Sequence, residues 1–97
     1  MGLRFEWDPK KAETNLKKHG ISFVEASTVF ADPLAGIRDD PDHSKTEERN
    51  IIIGMSKKFR ILVVVFTGKN DIIRIISSRF VTKNEREHYE EKHRYQD

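Results

Sequence analysis

The apolar residues of this chain gather in its second half, in Ile51–Ile53, Ile61–Phe66 and Ile72–Ile76. Each run is short, rich in β-branched residues and bounded by polar or turn-forming residues, which is the pattern of strands. The predicted strands are Arg49–Ser56, Arg60–Thr67 and Ile72–Phe80. The middle one is central, because Val and Ile run continuously through it. Lys57-Lys58 makes the first turn and Gly68–Asp71 a hairpin loop. Shorter apolar stretches predict strands at Leu3–Trp7 and Leu34–Arg38, and the polar, acidic Asp39–Glu48 reads as a loop.

Helices are announced by their caps. Asp8-Pro9 places an acceptor at the N-cap and a proline at the first helical position, and Gly20 supplies the stop. That helix runs to about Lys18, with Ala12 and Leu16 on one face. Ser22-Phe-Val-Glu25 is a capping box that opens a second helix, with Phe23, Ala26, Val29 and Phe30 as its buried stripe. Thr82-Lys-Asn-Glu85 is another box. It starts a highly charged helix to about Tyr95, anchored by Tyr89 and Tyr95, that lies on the surface or docks to a partner. The fold class is α+β, in the order β-α-α-β-β-β-β-α. The sheet is mostly antiparallel, two N-terminal helices cover one face, and the other face stays partly open.

Ninety-seven residues make a single domain, 1–97. The absence of cysteine excludes a disulfide framework and a thiolate metal site. No apolar run approaches the roughly 20 residues of a membrane span. No signal-peptide core opens the chain, so the expected compartment is the cytoplasm, with no membrane contact. Charge is unevenly spread. Residues 49–86 hold nine Lys/Arg against two Asp/Glu, a net +7, whereas residues 31–48 hold two against six, a net −4. The positive charge therefore lies on the strand region, where a flat surface could meet a polyanion.

Three arginines sharpen that picture: Arg60 opens one apolar run, Arg74 interrupts the next, and Arg79 closes it. An unpaired buried charge costs several kcal/mol, so each must pair, reach water or face an anion. Arg79, at a strand end, can grip two phosphate oxygens or pair with Glu85 or Glu48. Regular alternation places Arg74 on the opposite face. Arg79 can share a site with Arg60 or Arg49 of neighbouring strands, and Arg74 joins only if a bulge interrupts the last strand. His43 can act as base or acid near neutral pH, or be a solvated loop histidine. Glu48-Arg49 can serve as base and clamp, or pair with Arg60 across the sheet. Lys18-His19 suits the negative end of a helix. Trp7 reads as packing, and His88 and His93 as solvated.

The ordered set Phe5-Glu-Trp-Asp-Pro9, Lys11-Ala12, Asn15, Lys18-His-Gly20, Phe23, Glu25-Ala26, Asp32-Pro33, His43, Glu48-Arg49, Ile53-Gly54, Val64–Thr67, Ile73–Ser77, Arg79, Glu85-Arg86 and Tyr89-Glu90 resembles the BrnT toxins. The resemblance covers essentially the whole chain. One departure is Ser78, where the family usually carries alanine. The resemblance implies a RelE-like fold and a ribonuclease toxin of a type II toxin–antitoxin pair that halts translation. It also implies an RNA substrate and a BrnA-type antitoxin, in an assembly of two toxins and two antitoxins. RNA cleavage without a metal or other cofactor needs a base for the 2′-OH, cations for the phosphate and an acid for the leaving oxygen. The candidates are Arg79, Arg74, His43, Glu48, Arg49 and Arg60. The other reading left open by the residues is a non-catalytic protein-binding module or a nucleic-acid-binding domain without cleavage.

Overall fold

The computed structural model describes residues 2–40 and 48–94, with side chains as far as Glu91. Its elements are β1 (Arg4–Glu6), α1 (Pro9–His19), α2 (Phe23–Thr28) running into a 3₁₀ turn (Val29–Ala31), β2 (Gly36–Asp39), β3 (Asn50–Met55), β4 (Ile61–Lys69), β5 (Ile72–Phe80) and α3 (Lys83–Arg94). The sheet order is β1-β5-β4-β3-β2. Strands β2 to β5 form the expected antiparallel meander, and β1 adds a parallel edge to β5.

The caps act as the sequence predicts. Asp8 accepts from the Lys10 amide at 2.9 Å, and Gly20 ends α1 at φ 71°. Thr82 and Glu85 form a complete capping box, each side chain holding the other's amide. Ser22 forms only half of one. It accepts from the Glu25 amide, but the Glu25 carboxylate turns inward to Arg60 and Ser56. The β4–β5 loop is tighter than expected, because Gly68 and Lys69 extend β4 and only Asn70-Asp71 turn, with Asn70 at φ 59°.

One sheet face carries the core. Ile52, Leu62, Val64, Phe66, Ile73 and Ile75 pack under Ile21, Phe23, Ala26 and Val29. Trp7 meets Phe23 edge-on, the packing role expected of it. Gly54 lets the 3₁₀ turn approach β3, since a Cβ there would lie 2.8 Å from the Ala35 Cβ and 3.0 Å from Val29. Beyond Arg74 the outer edge of β5 has no strand partner among the described residues. Asn15 of α1 covers it, donating to the Ser78 carbonyl at 2.9 Å and accepting from the Ser78 amide at 3.0 Å. Its amide also donates to the Ile21 carbonyl.

The second face is partly roofed by α3, which folds back on the sheet. Tyr89 is buried, and its hydroxyl donates to Asp32 at 2.6 Å. Asp32 also accepts from the amides of Leu34 and Met55, so one carboxylate ties α3 to the β2 and β3 ends of the sheet. Burial and the Asp32 charge both raise the Tyr89 pKa.

Ser78 is fully buried, and its hydroxyl has no hydrogen-bond partner among the described residues. An unsatisfied buried hydroxyl costs about 1–3 kcal/mol. Ser78→Ala should therefore stabilise the protein by about 1 kcal/mol, read as a higher urea midpoint. A lower midpoint would show that the hydroxyl has a partner.

Candidate phosphate-binding face

The arrangement of the arginines is decided by one residue in β5. Phe66 pairs with Ile75, yet Val65 pairs with Ser77, so Ile76 is skipped in a β-bulge. An extra residue shifts the alternation that follows it. Before the bulge, Ile73 and Ile75 point to the helices, and after it Ser78 takes that side. Arg74, opposite Thr67, and Arg79, opposite Val63, consequently stand on the same face, away from the helix-covered core.

Arg79 is held but not exhausted. Its Nη1 and Nη2 donate to the two Glu85 oxygens at 2.9 and 3.0 Å, and Nη1 also donates to the Phe80 carbonyl. The Nε–H and the second Nη2–H keep no partner among the described residues. These two donors form the side edge of the guanidinium, which suits two oxygens of one anion. The side chain remains 43% exposed. Arg74 donates to Glu6 at 2.9 Å, and that pair is about half exposed on both sides.

Arg38 of β2 faces the same side, opposite Ile51, and lies 3.8 Å from Glu85. Arg49 immediately precedes β3. Its carbonyl accepts from the Asp40 amide, and continuing the β3–β4 register by one residue sets it opposite Thr67, in line with Arg74. Glu48 is exposed beside it. The segment 41–47, with His43, lies outside the described residues. Arg60 is not part of this face. It belongs to the helix side, where Nε donates to Glu25 at 2.8 Å, Nη2 reaches the Glu25 carboxylate and the Gly20 carbonyl, and the guanidinium lies over Phe80. That ion pair lowers the Glu25 pKa despite its burial.

Between α3 and the sheet lies a cleft of about 490 Å³, lined by Leu34, Ile37, Arg38, Ile53, Glu85 and His88 among others. The sequence reading missed Arg38 and the position of His88 here. The available signal was the spacing Glu85, His88, Tyr89, which places His88 on the helix flank next to the buried tyrosine. His88 Nδ1 sits 2.9 Å from the Asn84 carbonyl of its own helix.

Glu85 is the electrostatic hinge of the face. Hydrogen bonds from Arg79 and the Thr82 amide, opposed by burial, pull its pKa from the ordinary 4.5 to about 2. It stays an anion at physiological pH and orients Arg79 rather than taking protons. Its folded pKa is depressed, so the pair stabilises the fold above pH 4.5, and that stability is lost as pH falls towards about 2. After discounting for the exposed Arg79, the loss should be about 1–3 kcal/mol. Urea melts at pH 5 and pH 2.5 should show it, and Glu85→Gln should flatten the difference. An unchanged slope in the variant would remove Glu85 from the account.

The architecture is thus a small α+β domain with a helix-backed core face and an arginine-bearing outer face. A family model described as the ribonuclease toxin BrnT of type II toxin–antitoxin systems matches residues 7–85, and the chain belongs to that family. The 1.1 Å crystal structure of the Brucella abortus ribonuclease toxin BrnT aligns with a TM-score of 0.60 at 24% identity, over 84% of this chain and 99% of that one. At that identity the likeness speaks for the fold. No curated protein matches the chain in sequence. A toxin of this type has an antitoxin partner. Among the described residues no helix is long and apolar enough to cross a membrane.

Proposed function

We propose that this chain is a metal-independent endoribonuclease whose outer sheet face holds the scissile phosphate of RNA. The observation that carries the reading is the β5 bulge, which brings Arg74 and Arg79 to one face. Arg79 grips two phosphate oxygens through its side edge, while Glu85 holds the other edge. Arg74, with Arg49 in line across the sheet, adds positive charge as the phosphorus becomes five-coordinate. A base takes the 2′-OH proton, the 2′ oxygen bonds to phosphorus, the P–O5′ bond breaks, and an acid protonates the departing 5′ oxygen. His43 is assigned to one of these transfers, with Glu48 as the other candidate. Arg60 is left out, because it lies on the helix side with its Nε and Nη2 held by Glu25 and Gly20.

In the cell, cleavage stops translation, and a BrnA-type antitoxin silences the toxin in a complex of two copies of each in the cytoplasm. Incubating the purified chain with single-stranded RNA in EDTA should yield fragments with 2′,3′-cyclic phosphate ends. Intact RNA would overturn the catalytic reading. Expression should arrest growth, co-expression of the antitoxin should relieve the arrest, and light scattering of the purified complex should give the mass of four chains.

A further inference from the structure

Helix α1 breaks a local rule. Lysines 10 and 11 occupy its first turn, which contains no acidic residue. Cations there oppose the helix dipole. Lys18 follows Lys11 at i+7 on the same side, and none of the three has a carboxylate partner among the described residues. Lys17, by contrast, is paired with Glu13 at 3.2 Å. Local rules are broken most often where function requires it.

The unpaired lysines share a groove. Lys10, Lys11, Thr14, Asn15, Lys18 and His19 line about 310 Å³ against Ile76 and Ser77 of β5. Among the described residues no acidic side chain lines it. Its floor is the bulge itself, and Ser77 pairs with Val65 two residues before Arg79, about 7 Å along the strand. At the other end, only Trp7-Asp8-Pro9 separate Lys10 from Glu6, the partner of Arg74. The groove therefore flanks the arginine face, along the β5 edge that Asn15 covers.

We infer that this groove binds the sugar–phosphate backbone of single-stranded RNA flanking the cleavage point. The inference rests on the outer face being the phosphate site, and it adds the path of the strand beyond that site. Lys10, Lys11 and Lys18 are phosphate contacts, and Thr14 and Ser77 are neutral hydrogen-bonding groups between them. Such contacts are independent of base identity, so the groove lends affinity and length dependence rather than sequence choice.

The test separates binding from cleavage. A fluorescein-labelled 12-mer with every sugar 2′-O-methylated lacks the attacking hydroxyl and cannot be cut. Its affinity for the full chain is measured by anisotropy from 50 to 300 mM KCl. The triple variant K10Q/K11Q/K18Q should bind at least 10-fold more weakly at 100 mM. Its slope of log K against log salt should be shallower by about 2, for three lost contacts at about 0.7 each. Lys17→Gln should bind like the parent. Parental affinity and slope in the triple variant would overturn the proposal, as would a triple variant impaired only in holding the antitoxin. Lysine-dependent binding by a parent that leaves unmodified RNA intact would sustain the groove and remove the catalytic reading instead.

Discussion

Arg79→Ala should lower the single-turnover rate of RNA cleavage by about 10²–10³-fold, the usual loss when one preorganised donor to a developing oxyanion is removed. The reason is geometric. Glu85 clamps the far edge of the Arg79 guanidinium with both carboxylate oxygens, so its near edge is already aimed and costs little to order. Arg79→Lys should recover little, because an ammonium cannot present two parallel donors. Arg79→Ala also removes an anchor of α3, so each variant is melted alongside. Glu85→Gln is the control: it removes the ion pair but keeps the guanidinium. If Arg79→Ala and Glu85→Gln lose activity equally, Arg79 acts through α3 and not on phosphate. Arg74→Ala should cost less, since Arg74 is more exposed and its partner Glu6 is itself half exposed.

Asn15→Ala should lower stability by about 3 kcal/mol, since three buried hydrogen bonds lose their partner. The Ser78 amide and carbonyl and the Ile21 carbonyl would be left without their bond to this side chain. For a domain of this size that corresponds to a fall in melting temperature of about 12–24 °C. Asn15→Asp should be no better, because a carboxylate cannot donate to either carbonyl. A loss under about 1 kcal/mol would mean that water replaces the amide along β5.

Much of the fold was legible in local signals. The Asp8-Pro9, Ser22 and Thr82 starts, the Gly20 stop and all four strands of the meander lie where the pattern placed them, within a few residues. The ion pair between Arg79 and Glu85 was one of two readings of Arg79, and it does not exclude the other, because the pair leaves one edge of the guanidinium open. Arg60 was harder to place. In the run Ile61–Phe66 both sides are apolar, so alternation does not reveal which side meets the helices. Its partner Glu25 looked like the second half of a capping box, and only the packed α2 shows that carboxylate turned to the core. Arg38 and His88 were passed over because their importance arises when α3 folds back over β2 and β3.

By itself the sequence determined whatever depends on neighbours within about four residues: caps, stops, turns and the strand-forming runs. These are local because a helix start or a tight turn is closed by groups a few bonds apart. The tertiary structure decided which arginines share a face. That outcome hangs on the pairing of Phe66 with Ile75 and Val65 with Ser77, which leaves Ile76 over. A bulge is a mismatch between two strands, and one strand read alone does not contain it. The same surplus residue floors the lysine groove of α1, so one non-local pairing choice positions both candidate surfaces.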